Sequence, residues 1–189
     1  MTEDQIEQST LETLRQMGWR VLHGPDIGPD LLGERDYRDV VLKNILRATL
    51  SRLNPQVSTV ALDEAFKRLI RVDKPTLLEN NHEFHKLLVD GVPVEYRSAN
   101  GEIKHDLVRV VDFESPENND FAAVNQLTLL QDDFNRLADI VLHVNGLPLV
   151  LIELKNATDS KADLVAAYRQ IQTYKNEISD FFRFNALCV

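Results

Sequence analysis

Apolar residues at the start of the chain recur at helical intervals. Ile6, Leu11, Leu14 and Met17 share one side of a helix over residues 3 to 17, with Thr2 and Gln5 spaced as a capping box and Gly18 as a C-terminal stop. Glu7 lies at the edge of that stripe. Trp19 to Leu22 reads as a short strand, and the glycines and prolines from His23 to Gly33 mark a loop. Helical spacing returns from Asp36 to Leu53, bounded by Asn54-Pro55, and continues from Leu62 to Ile70 and from Leu77 to Leu88. Residues 36–90 are therefore expected to form a helical region.

At Gly91 the pattern changes. Val92 to Arg97 and Ile103 to Phe113 are β-rich and flank Ser98-Ala99-Asn100-Gly101, a hairpin turn. Ala122 to Leu130 reads as a further strand. Two apolar runs, Ile140 to Val144 and Leu147 to Leu154, then flank Asn145-Gly146, a dipeptide that tolerates the positive φ of a tight turn. A polar turn over Asn156 to Ser160 leads into a helix from Lys161 to Ile178, and Ala186 to Val189 forms a last strand. Because the sequence stops on an apolar strand, it is expected to be a fragment.

Charges fall unevenly on the Asn145-Gly146 hairpin. Asp139 stands at the entry of its first strand, and Glu153 and Lys155, two apart, share a face near the end of its second. Residue numbers that pair across this turn sum to about 291 or 292, placing Asp139 opposite Ile152 or Glu153. Two carboxylates and an ammonium converge. Such a group is a salt bridge at a strand end, or it is a cation site: paired carboxylates repel unless a cation relieves them, and oxygen ligands of this kind suit Mg2+. In the second case the lysine orients or deprotonates a water, or stabilises charge developing on phosphorus. On the following helix Gln170 and Tyr174, four apart, share a face that can present an amide and a phenol to a phosphodiester, or can simply be a solvated face.

Composition narrows the classes. The 189 residues suit a single domain, and no apolar run approaches a membrane span. The single cysteine, Cys188, reads as a buried apolar residue and fits a reducing cytoplasm. A formal net charge of −9, from 21 basic and 30 acidic residues, has the wrong sign for a stand-alone DNA-binding module. It leaves room for a nuclease whose grip on DNA is supplied elsewhere. There is no Gly-x-x-x-x-Gly-Lys-Ser/Thr and no His-Glu-x-x-His; His82 and His85 read as a solvated helix face.

Asp139, Glu153-Leu154-Lys155 after a hairpin, and Gln170-x-x-x-Tyr174 on the next helix resemble the PD-(D/E)xK nuclease core with its downstream QxxxY motif. More narrowly, Val-Asn-Gly-Leu-Pro-Leu-Val-Leu-Ile-Glu-Leu-Lys-Asn, Gln-Thr-Tyr-Lys-Asn-Glu-Ile and Phe-Arg-Phe-Asn-Ala-Leu resemble the N-terminal nuclease domain of the restriction (motor) subunit of type I restriction-modification enzymes. Glu7, before Gly18-Trp19, and Asn125-Gln126 extend the likeness. The resemblance implies an α/β fold, a mixed sheet flanked by helices, with residues 36–90 as an extra helical region and 1–189 as one endonuclease domain. It implies Mg2+-dependent cleavage of double-stranded DNA, with Asp139 and Glu153 as metal ligands, Lys155 as the catalytic lysine, Glu7 as an accessory acid, and Gln170 and Tyr174 beside the DNA-facing side. Ala138 stands where the motif has proline, a position that supplies no ligand. The family's partners would be the methylation and specificity subunits, and its ATP would be used by a translocase outside these residues. The other readings are a catalytically silent subunit-contact module and a free-standing nuclease.

Overall fold

Helix α1 (Glu3–Gln16) begins on the expected capping box: Gln5 N donates to Thr2 Oγ1 at 3.3 Å and Thr2 N to Gln5 Oε1 at 3.0 Å. The structure is a computed structural model, and it describes residues 2–189 other than Leu32, Glu34, Val72, Ser98, Ala99 and 156–163. The expected polar turn at Asn156 to Ser160 lies outside the described residues, as do Ser98 and Ala99 of the other turn. After α1 come β1 (Arg20–His23), helices α2 (Lys43–Leu53), α3 (Thr59–Ile70) and α4 (Leu77–Asp90), and the hairpin β2 (Val92–Arg97) and β3 (Ile103–Val108). Then follow β4 (Phe121–Gln131), β5 (Phe134–Val144), β6 (Leu147–Ile152), α5 (Leu164–Glu177), α6 (Ser179–Phe182) and β7 (Leu187–Cys188).

One mixed sheet carries the order β1-β4-β5-β6-β7, antiparallel in its middle and parallel at both outer pairings. Strand alternation sorts its side chains. Ala123, Ile140, Leu142 and Ile152 meet Leu11 and Leu14 of α1, whereas Val124, Val141 and Leu151 meet Tyr174, Ile178, Phe181 and Phe182 of α5 and α6. Helices therefore cover both faces. Helices α2 to α4 build a third core with the β2–β3 hairpin around Leu46, Leu50, Phe66 and Phe84, reaching the sheet through Leu147 and Phe184. This is the α/β architecture expected, with the helical region attached to one side.

Three boundaries differ from the sequence reading. Residues 36 to 42 are not helical: the Asp36 side chain accepts from Arg38 N at 2.8 Å, a local bond that competes with a helix, and Leu42 N is drawn to Gly146 O at 2.9 Å. Strand β3 ends at Val108 because the Asn54 side chain takes both Arg109 N and Arg109 O. Strand β5 starts at Phe134, paired to β4 across the Asp132-Asp133 turn, so Asp139 lies inside a long strand and not at its entry. Cys188 is half-buried, its thiol donating to Asn185 Oδ1 at 3.3 Å.

His143 of β5 is fully buried, with Nδ1 unpartnered and Nε2 3.4 Å from Val40 O. Burial, with the nearby Arg35 charge, pushes its imidazole down to about 4. The unfolded chain, with an ordinary histidine near 6.5, takes up this proton first, so stability is lost as pH falls from about 6.5 toward about 4. The slope from this one group is at most about 1.4 kcal/mol per pH unit. Denaturant unfolding of wild type and His143→Leu across that window should show the shallower slope in the variant.

Candidate active site

The hairpin register is what brings the acidic groups together. Beside the Asn145-Gly146 turn, Val144 pairs with Leu147 and His143 with Pro148; beyond a bulge at Leu149 the pairs become Leu142 with Val150 and Ile140 with Ile152. The sum shifts from 291 to 292, and one further step sets Asp139 against Glu153. Without the bulge Asp139 would face Ile152, and Glu153 would turn to the other side of the sheet. The bulged Leu149 carbonyl accepts from Ala186 N at 2.7 Å, which ties the bulge to the chain entering β7.

At that end of the sheet Asp139 Oδ2 accepts from Leu154 N at 2.7 Å. Glu153 is 9% exposed, and its two oxygens differ. Oε1 accepts from Lys155 Nζ at 2.9 Å and from the Gln170 amide, while Oε2 is buried with no hydrogen-bond partner among the described residues. Burial first holds both carboxyls above their ordinary range, helped at Asp139 by the charges of Glu7 and Glu3 and at Glu153 by the charge of Asp139, although Lys155 pulls each of them down. For Lys155 burial alone works downward, but its bond to Glu153 and the charges of Glu153 and Asp139 outweigh it and pull the ammonium up. In this arrangement the lysine is a cationic donor and not a base.

Helix α5 meets the site from the far side. Gln170 donates to Glu153 and, at 2.8 Å, to Tyr174 Oη, which in turn donates to Leu137 O at 3.2 Å. Tyr174 is 5% exposed, so this is not a solvated helix face. The amide and the phenol engage the sheet, and Gln170 bears on Glu153 directly. On the other face Glu7 accepts from Asn125 Nδ2 at 2.7 Å and from Gln126 Nε2 at 2.5 Å, and its charge reaches Asp139. The structure thus gathers Glu7, Asp139, Glu153, Lys155, Gln170 and Tyr174 at one end of the sheet. His23, exposed at the end of β1 with Nδ1 3.4 Å from Asn125 Oδ1, joins them, and no spacing in the sequence points to it.

A hard divalent cation fits this donor set. Two carboxylates held above their ordinary range by burial, one with a buried oxygen lacking a hydrogen-bond partner among the described residues, supply the oxygen ligands that Mg2+ takes alongside water and phosphate. Among the described residues no group of three or more His, Cys, Asp or Glu side chains is placed to hold a metal ion, so two carboxylates are the protein ligands offered here.

A mixed sheet with helices on both faces and an acidic pair beside a lysine at one end is the form of a PD-(D/E)xK-like core. The chain belongs to the family described as type I restriction enzyme R protein N terminus, whose family model matches residues 1–189. It is 43% identical over 188 residues to the type I restriction enzyme HindI endonuclease subunit of Haemophilus influenzae, covering 98% of this chain and 18% of that protein. Against the putative type I restriction enzyme MjaIXP endonuclease subunit of Methanocaldococcus jannaschii it is 25% identical over 187 residues, 97% of this chain and again 18% of the relative. The chain thus spans less than a fifth of the length of these relatives. Among the described residues no helix is long and apolar enough to cross a membrane.

Proposed function

We propose that residues 1–189 are the endonuclease module of a type I restriction enzyme subunit, hydrolysing phosphodiester bonds of double-stranded DNA with Mg2+. The observation that carries this reading is Glu153: one oxygen held by Lys155 and Gln170, the other buried without a hydrogen-bond partner among the described residues, with the charge of Asp139 acting on the same carboxyl. Asp139 and Glu153 would hold the cation, which supplies Lewis-acid stabilisation of phosphate charge. Lys155, a fixed cation by its contacts, orients the attacking water by hydrogen bonding and offsets negative charge growing on the phosphorus oxygens. Gln170 and Tyr174 stand beside the DNA-facing side and act there by fixing the rotamer of Glu153. Glu7 adds a third carboxylate.

The acidic balance of the chain, −9, means that this module grips DNA weakly by itself. In our reading the rest of a longer polypeptide, an ATP-driven translocase, and the methylation and specificity subunits deliver the DNA in the cytoplasm. The test is Lys155→Ala in the assembled complex. Cleavage should fall about 10²- to 10³-fold, the loss typical of removing one charge-stabilising donor, with ATP-driven translocation unchanged. Cleavage that persists at the wild-type rate would remove the lysine from the mechanism.

A further inference from the structure

Strand β4 breaks its own pattern next to Asp139. Its ladder with β5 pairs Asn125 with Ile140 and Leu127 with Ala138 but skips Gln126, which would pair with Asp139. Gln126 has a φ of 51°, in the left-handed region that a non-glycine residue adopts under strain. The neighbouring chain is shaped to this kink. Gly24 N donates to Asn125 O at 2.8 Å, and a Cβ on Gly24 would lie 2.4 Å from Gln126 O.

The kink has a chemical consequence. Consecutive residues of a regular strand point to opposite faces, so two adjacent side chains do not meet one acceptor. Here both do: Asn125 Nδ2 reaches Glu7 Oε1 and Gln126 Nε2 reaches Glu7 Oε2, one amide for each oxygen. Asn125 is 7% exposed, and the contact of its Oδ1 with His23 leaves its nitrogen toward Glu7. Tying α1 to the sheet needs none of this strain, because Leu11 and Leu14 already pack there. In the β4–β5 register the skipped Gln126 stands where it would pair with Asp139, so the kink that clamps Glu7 falls beside the first of the two proposed ligands.

Building on the cation site proposed above, we propose that Asn125 and Gln126 are positioning residues that clamp Glu7 as a third carboxylate facing the Asp139–Glu153 pair. Loosening the clamp weakens the hold of the site on a divalent cation. Glu7 acts on the cation through its charge and through water, and the two amides act through Glu7.

The test measures Mn2+ binding to the full-length restriction subunit, without DNA or ATP, by loss of the free-Mn2+ electron paramagnetic resonance signal. Gln126→Gly removes the amide while suiting the left-handed backbone, and Gln126→Asn keeps an amide that is one methylene short. Both should bind Mn2+ about tenfold more weakly, the lower end of what groups that orient ligands contribute. Glu7→Gln should do the same, and Glu7→Gln with Gln126→Gly should bind no worse than Glu7→Gln alone. Wild-type affinity in Gln126→Gly, or losses that add in the double variant, would overturn the clamp. Asp139→Ala separates the two claims. If it loses Mn2+ while Gln126→Gly does not, only the clamp fails; if it binds Mn2+ like wild type, the site reading fails as well.

Discussion

Glu153→Gln should lower DNA cleavage by the assembled complex at least about a thousandfold and, in the same protein, raise the thermal stability of this module when divalent cations are chelated. The two effects share a cause. Glu153 presents a buried oxygen without a hydrogen-bond partner among the described residues, and its carboxyl is pushed up by burial first and then by the charge of Asp139. A neutral amide of the same shape costs less to bury, and it still offers an oxygen to Lys155 and Gln170. If the relief is about 1 kcal/mol, the transition of a chain this size moves up about 2–4 °C. Adding Mg2+ should reverse the order. Wild type gains stability as the cation binds the folded state, and the variant, short of one ligand, does not. Melting curves in chelator and in Mg2+, beside a cleavage assay, check all three parts. Cleavage by Glu153→Gln within tenfold of wild type would contradict the reading of the site.

The parts of this arrangement legible in the sequence are those set by local rules. Asn145-Gly146 announces its turn, Thr2 and Gln5 their capping box, and the i, i+2 rule puts Glu153 and Lys155 on one face, as their 2.9 Å contact bears out. What stayed hidden depends on partners far along the chain. The register between Asp139 and Glu153 hangs on the Leu149 bulge, whose carbonyl is taken by Ala186. The early start of β5 passes through Asn135 and Arg136, which no β-propensity favours; β4 pairs with that stretch, and Arg136 bonds Glu177 of α5 at 2.5 Å. Residues 36 to 42 carry helical spacing, yet they serve the sheet, where Leu130 N donates to Tyr37 O at 2.9 Å. Asn125 and Gln126 gave a usable signal, two amides in an otherwise apolar strand. The φ of 51° that turns both onto Glu7 had none.

Gly146→Ala should cost about 4 kcal/mol, backbone strain and collision together. Asn145 and Gly146 have φ of 55° and 82°, as a type I′ turn requires, and an alanine held there carries about 1–2 kcal/mol of backbone strain. The rest comes from surroundings. A Cβ on Gly146 would lie 2.6 Å from Leu42 O and 2.9 Å from Leu46 N, backbone atoms at the start of α2 that cannot swing aside as a side chain can. The turn cannot retreat either, because Asn145 is fully buried and bonds Val110 O at 2.8 Å, Asn119 Oδ1 at 2.9 Å and Asp120 N at 2.7 Å. Gly101→Ala is the matched control: its φ is also 82°, but among the described residues nothing lies within 4 Å of the added atom, so the strain of about 1–2 kcal/mol remains. Denaturant unfolding of the two variants separates strain from collision. Because the two arms of this hairpin end at Asp139 and Glu153, a turn displaced by the collision also shifts the carboxylates against each other. Gly146→Ala should therefore lose Mn2+ affinity together with stability, and Gly101→Ala should keep it. Equal losses of stability in the two variants would mean that α2 yields to the methyl group and does not fix the turn.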